Sequence, residues 1–332
     1  MQIGVICPVF NTDVTLLRAA VRSVLAIDSS VLKELILVDD ASTDGATVAA
    51  LADIGADDAR VRVIRHTKNA GQSAARRTGV AAATSEWIGF LDADDLWVAE
   101  KIGPIKKVLE AFPNAQWIAG NHVNGLSDGS QSAAITLLDA HIGRQLTDTL
   151  WHMTAPELVR TLVGSGWLHL GDSVMRKSLL DAADGFQPEF IYMEDYHMFC
   201  KLAALSDLYY VNETFYIWRR HLDGVTGSLR RLGIGTLEAY RALRKDPALR
   251  DYQRETRWAF YNATKGLALN NLLANFRLRA LRLALEAFFT DPREVRDMFR
   301  FLRLMLLRNS REIATQGVAY SRIEQFVVMR PV

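Results

Sequence analysis

Four short strand-like segments, three of them continuously apolar, lie within the first 91 residues and are separated by helix-like stretches. That alternation limits the fold more than any other feature of the chain. Ile3-Gly4-Val5-Ile6-Cys7 is continuously apolar, as an interior parallel strand must be when both its faces are covered. Pro8 stops it, and Thr12 and Asp13 are cap residues for a helix from Leu16 to Leu25. Leu35-Ile36-Leu37-Val38 ends in Asp39-Asp40-Ala41-Ser42-Thr43-Asp44-Gly45, before a helix from Thr47 to Ile54. A third strand spans Val61 to Arg65. The turn Asn69-Ala70-Gly71-Gln72-Ser73 and a small-residue helix from Ala74 to Ala83, bearing Arg76 and Arg77, follow it. The fourth run, Trp87 to Leu91, ends in Asp92. Alternating strands and helices predict an α/β fold with a Rossmann-like, mostly parallel sheet flanked by helices. Such sheets bind ligands beyond the carboxyl ends of their strands. Three of those ends carry polar clusters: Asn11, Asp39-Asp40 and Asp92-Ala93-Asp94-Asp95.

Side chains alternate along an extended chain, so Asp92 and Asp94 are expected on one side and Ala93 and Asp95 on the other. Paired carboxylates at the end of a central strand suit Mg²⁺ or Mn²⁺, which take a few carboxylate oxygens and complete their shells with phosphate and water. Taken singly, each cluster also reads as a turn or a helix cap, because Asp and Asn favour both. Their gathering at one sheet edge favours a site. The chain has neither a G-x-x-x-x-G-K-[ST] loop nor a G-x-G-x-x-G turn, so a nucleotide would be held by carboxylates, a metal and arginine.

ICPVFN, LVDDASTDG and NAGQSAARRTGVAAATSEWIGFLDADD together resemble the family 2 glycosyltransferases with the GT-A fold, over roughly residues 1–225. The resemblance implies that Asp40 contacts the nucleotide base and that Pro8, Val9, Phe10 and Asn11 line the nucleoside pocket. It also implies that Arg76 lies near the nucleotide and that Asp92, Ala93 and Asp94 form the D-x-D metal and diphosphate motif, with Asp95 beside it. Ala41 and Arg77 depart from the usual Gly or Ser and the usual Asn. Farther on, Asp184-Gly185-Phe186-Gln187 and Tyr192-Met193-Glu194-Asp195-Tyr196 resemble the family's G-G-F…G-E-D segment. Asp195 matches its catalytic base, with Glu194 the alternative; an N-terminal charge on the apolar helix that follows is the structural reading of Asp195. His221, after Trp218-Arg219-Arg220, resembles a histidine near the metal and diphosphate. The Q-x-x-R-W motif of processive synthases is absent from the sequence.

Between these motifs, Gln116 to Gly120 reads as a strand, Asn124 to Ala134 as a loop, and Leu168 to Arg176 as a strand entering a helix. Trp151, Trp167 and His169 are candidates for an aromatic sugar platform or for core packing, and Trp167 and Asp172 for acceptor contacts. Gly235 to Pro331 reads as helices, one with an apolar face of Leu278, Leu281, Leu285 and Phe288, another with Arg296, Arg300 and Arg303 beside Phe299, Leu302 and Leu306.

Charge divides with the same boundary. Residues 1–216 hold 17 Lys/Arg against 27 Asp/Glu, whereas residues 217–332 hold 22 against 11. The expected organisation is a catalytic domain over 1–225, with a nucleotide-sugar half to about 120 and an acceptor half beyond it, then a helical region over 226–332. The basic helices are either a packed subdomain or a surface resting on anionic lipid, where a lipid-linked acceptor would lie. No nucleic-acid motif accompanies them. No apolar run reaches the roughly 20 residues a bilayer requires, and two isolated cysteines, Cys7 and Cys200, suit a reducing compartment. The expectation is a cytoplasmic enzyme, peripheral at the inner membrane face. It would use Mn²⁺ or Mg²⁺ and a UDP-linked sugar to glycosylate a glycan or lipid-linked acceptor during surface-polysaccharide assembly. A sugar nucleotidyltransferase would want a Gly-rich basic loop after the first strand, where Pro8 to Asn11 stands. A non-catalytic nucleotide-binding scaffold is the other alternative.

Overall fold

The computed structural model describes residues 1–125, 130–137, 143–164, 168–190, 192–220 and 229–307. Trp167 and His221 lie outside these residues, as does the chain beyond 307. The protein divides into two compact units, Met1–Gly227 and Ser228–Val332.

The first unit opens with β1 (Ile3–Val9), α1 (Val14–Leu25), β2 (Leu32–Asp39), α2 (Gly45–Asp57), β3 (Val61–Arg65), α3 (Gln72–Ala82) and β4 (Trp87–Phe90). It continues through β5 (Leu96–Trp97), α4 (Ile102–Ala111), β6 (Trp117–Gly125), β7 (Arg144–Gln145), β8 (Leu150–Met153), α5 (Ala155–Gly164), β9 (Ser173–Arg176), α6 (Lys177–Ala182), α7 (Glu194–Leu205) and β10 (Leu208–Arg219). One sheet carries all these strands in the order β3-β2-β1-β4-β9-β6-β10-β8-β7, with β5 paired to β10. β3, β2, β1 and β4 are mutually parallel, as are β6 and β10, and β9 runs antiparallel between β4 and β6. The fold is therefore α/β with a mixed, mostly parallel sheet.

The continuous apolar runs become the strands buried on both faces: every residue of β1 and of β4 is buried. Capping residues start the helices. Asp13 accepts from the Thr15 and Leu16 amides at 2.8 and 3.0 Å, and Asp44 from the Thr47 amide at 2.8 Å, satisfying amides that have no partner within the helix. Chain order reverses direction across the sheet at β1, which lies between β2 and β4. The ends of these three strands therefore open a crevice, and Asn11, Asp40 and Asp92 stand there. Before β9, Leu170–Asp172 forms a 3₁₀ turn rather than a strand; the strand begins at Ser173.

In the second unit, α8 (Leu229–Leu243), α9 (Gln253–Leu273), α10 (Arg277–Thr290) and α11 (Val295–Leu306) are helical, as expected through residue 306. The buried face of α10 differs from the expected one. Ala280, Ala284 and Ala287 face inward, Leu281 and Phe288 are half-buried, and Leu278 and Leu285 are exposed. Small side chains at this spacing let α10 lie close against α9, and the larger ones point outward. Beneath α11, Lys265 and Asp297 are an ion pair buried on both sides, and the Tyr261 hydroxyl donates to the same carboxylate at 2.8 Å.

Candidate active site

Beyond β4 the chain leaves the sheet at Phe90 and turns, with the Asp95 amide donating to the Asp92 carbonyl at 3.0 Å. Asp92 and Asp94 are half-buried and Ala93 and Asp95 buried, but the chain is turned here and not extended, so Asp95, expected on the opposite side, offers a carboxylate oxygen within 4.8 Å of one on Asp92. β10 braces the turn. The Tyr216 hydroxyl donates to Asp95 Oδ2 at 2.9 Å and accepts from the Asp92 amide at 3.2 Å. The Arg219 amide donates to Asp95 Oδ1 at 2.7 Å, and its guanidinium reaches the Asp94 carbonyl and, at 2.9 Å, the Leu16 carbonyl. Sequence reading missed Tyr216 and Arg219, because their partners lie more than 120 positions earlier.

Arg76, only 3% exposed, is clamped between two acids. Nη2 donates to Asp92 Oδ1 at 2.6 Å and Nη1 to Glu194 Oε1 at 2.5 Å. One guanidinium thus ties the acidic turn to the first residue of α7. The start of α3 adds further ties: Gln72 Nε2 to Asp92 Oδ1, Ser73 Oγ to the Gln187 carbonyl and Arg77 Nη1 to the Phe186 carbonyl. Burial pushes the Glu194 carboxyl up to about 7 against the pull of Arg76, with the Asp195 charge adding to the rise. Asp195 is half-buried, and its Oδ1 accepts from the Tyr196 amide at 2.7 Å. Of the two adjacent acids, Asp195 is the one with solvent access.

At the other side of the crevice, Asp40 is buried. Its Oδ1 accepts from the Ala70 amide (2.9 Å) and bonds His66 Nδ1 (2.7 Å), while its Oδ2 accepts from the Gly71 amide (2.7 Å). Pro8 and Val9 are buried, whereas Phe10 and Asn11 are exposed at the rim. Asn11 Oδ1 accepts from the Thr43 and Asp44 amides at 2.8 and 2.9 Å, joining the loops after β1 and β2. Asp172 lines no open surface: it is 2% exposed and its Oδ2 bonds His122 Nδ1 at 2.7 Å. Its carboxylate can reach an acceptor only through other groups.

Asp92, Asp95 and His169 offer ligand atoms all within 4.8 Å of one another. Burial, then the charges of Asp92 and Asp94, push the Asp95 carboxyl up to about 8. Like charges crowded to this degree are relieved by a cation, and an oxygen-rich donor set is the kind that holds Mg²⁺ or Mn²⁺. The residues present fit a divalent cation.

Residues 4–157 match the family described as Glycosyl transferase family 2. That match spans fewer than half of the chain's 332 residues, and over it the chain is similar to that family. A protein of Sinorhizobium fredii named "Uncharacterized protein y4gI" is 29% identical over 222 residues, covering 65% of this chain and 22% of that protein. Succinoglycan biosynthesis protein ExoO of Rhizobium meliloti is 43% identical over 86 residues, or 26% of this chain and 23% of ExoO. The Escherichia coli protein WfgD, named as a UDP-Glc:alpha-D-GlcNAc-diphosphoundecaprenol beta-1,3-glucosyltransferase, is 31% identical over 100 residues, or 30% of this chain and 38% of WfgD. The chain thus spans less than two fifths of each of these relatives. Among solved structures, S. aureus TarS 1-349 in complex with UDP-GlcNAc superposes with a TM-score of 0.64 at 16% identity, covering 97% of this chain and 90% of that one. The chain accordingly shares the fold of TarS, an α/β fold of the GT-A type.

Proposed function

We propose that the chain is an inverting, metal-dependent glycosyltransferase, moving a sugar from a UDP-linked donor to a hydroxyl of a glycan or lipid-linked acceptor in surface-polysaccharide assembly. The catalytic unit is residues 1–225, with the nucleotide-sugar half to about 120, and residues 226–332 are a helical accessory region. The observation that carries the reading is the Arg76 clamp. It holds the acidic turn and the Glu194-Asp195 helix start against one another, so cation-binding acids and a carboxylate base share one sheet edge. The names of the relatives and of the TarS complex support the donor class.

In this reading Asp40 meets the nucleotide base, Phe10 and Asn11 with the backbone of Pro8 and Val9 border the nucleoside, and Asp92, Asp94 and Asp95 hold the cation. Mn²⁺ or Mg²⁺, when bound, neutralises charge on the departing diphosphate. The Asp195 carboxylate takes the proton from the acceptor hydroxyl as that oxygen attacks the anomeric carbon. The bond to the diphosphate oxygen breaks on the opposite face, inverting the centre. Glu194 stays bound to Arg76 and fixes where α7 begins.

Two variants test this. Asp195→Asn is expected to keep donor binding and lose transfer about 10²–10⁴-fold, since it removes a proton acceptor without removing bulk. Asp94→Asn is expected to lose Mn²⁺-dependent binding of the nucleoside diphosphate. Near-normal turnover in Asp195→Asn with loss in Glu194→Gln would move the base to Glu194, and unchanged metal dependence in Asp94→Asn would remove the cation assignment.

The acceptor is proposed to lie at the anionic inner face of a membrane, approached from the cytoplasm. No helix among the described residues is long and apolar enough to cross a membrane. Among those residues, eight of the twelve exposed large apolar side chains fall between Phe276 and Leu306, a stretch that also carries Arg279, Arg282, Arg296, Arg300 and Arg303. Apolar side chains interleaved with arginine on exposed helix faces suit the boundary between headgroups and acyl chains.

A further inference from the structure

The acceptor half contributes a buried polar assembly that abuts the acidic turn, built from residues outside the family motifs. His169 is the member that meets Asp92 and Asp95. It precedes the 3₁₀ turn Leu170–Asp172, and the Gly171 amide donates to its Nδ1 at 3.2 Å. A backbone amide can only donate, so Nδ1 is the acceptor and the neutral ring carries its proton on Nε2. A histidine ligates a metal through a nitrogen lone pair and gives its other N–H to a carbonyl or carboxylate. Here that arrangement is reversed. The Nδ1 lone pair is engaged by Gly171, and Nε2 bears the proton. His169 therefore sits within 4.8 Å of the Asp92 and Asp95 ligand atoms with neither nitrogen ready to bind a cation.

We propose that His169 serves the cation centre from outside its coordination sphere, as an N–H-bearing positioning residue beside Asp92 and Asp95, and is not itself a ligand. The inference rests on the glycosyltransferase reading only in requiring a divalent cation at these acids.

The turn that imposes this tautomer cannot easily invert. Lys101, 1% exposed, donates from Nζ to the Gly171 carbonyl at 3.1 Å and lies 3.3 Å from the centre of the Trp97 ring. A Cβ on residue 171 would fall 1.9 Å from the Tyr216 ring, so only glycine fits between His169 and the tyrosine that braces Asp95. Asp172 Oδ2 accepts from the His169 amide at 3.3 Å and bonds His122 Nδ1, closing the turn from its other end. The His169 ring packs on Tyr216 with centroids 4.6 Å apart. Backbone, lysine and aromatic contacts therefore set the ring's orientation before any cation arrives.

Mn²⁺ titrated into the full chain gives an affinity by electron paramagnetic resonance, and spin-echo modulation reports nitrogen bonded to the ion. The nitrogen modulation is expected to be the same in wild type and His169→Ala. The affinity is expected to fall ~10–100-fold in His169→Ala, the usual effect of an outer-shell loss. It should recover in His169→Gln, whose amide accepts at oxygen and donates at nitrogen. Modulation present in wild type and lost in His169→Ala would make His169 a ligand and overturn the proposal. Unchanged affinity in a folded His169→Ala would overturn it too, as would a wild type that binds no Mn²⁺. If His169→Ala fails to fold, His169→Gln decides: retained affinity with unaltered modulation supports the assignment, and loss of either removes it. Sugar transfer is assayed separately, so its absence alongside these metal results would end the transferase reading and leave His169 where it is.

Discussion

Ala41 stands in the left-handed region at φ 61°, in the loop between β2 and α2. A Cβ there costs roughly 1 kcal/mol, which glycine avoids. The departure noticed in the sequence, Ala in place of Gly or Ser, thus has a conformational cost. Ala41→Gly is expected to stabilise the protein by about 0.5–1 kcal/mol in denaturant unfolding, and no gain would mean that the loop relaxes around the methyl group. Asp95 yields a pH dependence. Its carboxyl is pushed up to about 8, above the ordinary value of about 3.9. Between those values the folded chain binds more protons than the unfolded chain, so stability falls as pH rises through that window. Glu194, at about 7, adds to the same slope up to that pH. Mn²⁺ favours the ionised form, so its affinity should rise over the same range. Asp95→Asn should flatten both trends; a metal affinity that stays flat in the wild type from pH 5 to 8 would contradict the assignment.

At the scale of elements, α3 and α11 show how one periodicity serves different ends. Both read as helices from spacing alone. In α3, the residues of the first turns, Gln72, Ser73, Arg76 and Arg77, are spent on ties to the acidic turn and to the 184–194 segment. In α11, Asp297, Phe301 and Leu304 turn inward, and Phe299 and Leu306, 64% and 82% exposed, turn outward with Arg296 and Arg303. Each basic residue near an anionic surface contributes on the order of 1 kcal/mol, an attraction screened beyond about 8 Å at physiological ionic strength. The full chain is therefore expected to float with anionic vesicles at low salt and to dissociate at high salt. Changing Arg296, Arg300 and Arg303 to Gln should weaken flotation at low salt. Equal flotation on neutral vesicles would leave the apolar side chains as the sole attachment, and none on either would remove the membrane surface. The outward leucines of α10 belong to this argument only because the structure corrected the expected face.

For the whole molecule, the donor class is the quantity with the widest consequence. A donor present with Mn²⁺ at a hundred times its dissociation constant should raise unfolding stability by about 2.7 kcal/mol, visible in a thermal panel of nucleotide sugars. UDP-linked sugars are expected to give the largest shift, and a larger shift from another nucleotide would overturn the proposed donor class. The sequence alone sufficed for the strand–helix alternation, the parallel edge and the three polar strand ends. Each of these is written in consecutive residues and follows from periodicity and from the need to bury both faces of a parallel strand. The order and spacing of motifs sufficed for the resemblance to the family 2 glycosyltransferases. Tertiary structure alone decided the rest: that Arg76 joins Asp92 to Glu194, that Tyr216 and Arg219 brace the acids, that Asp172 is turned inward, and that Gly171 sets the His169 tautomer. Those contacts join residues far apart in the chain or depend on which rotamer and which face a close-packed interior permits. No local pattern encodes that choice, because it is made by neighbours that only folding brings together.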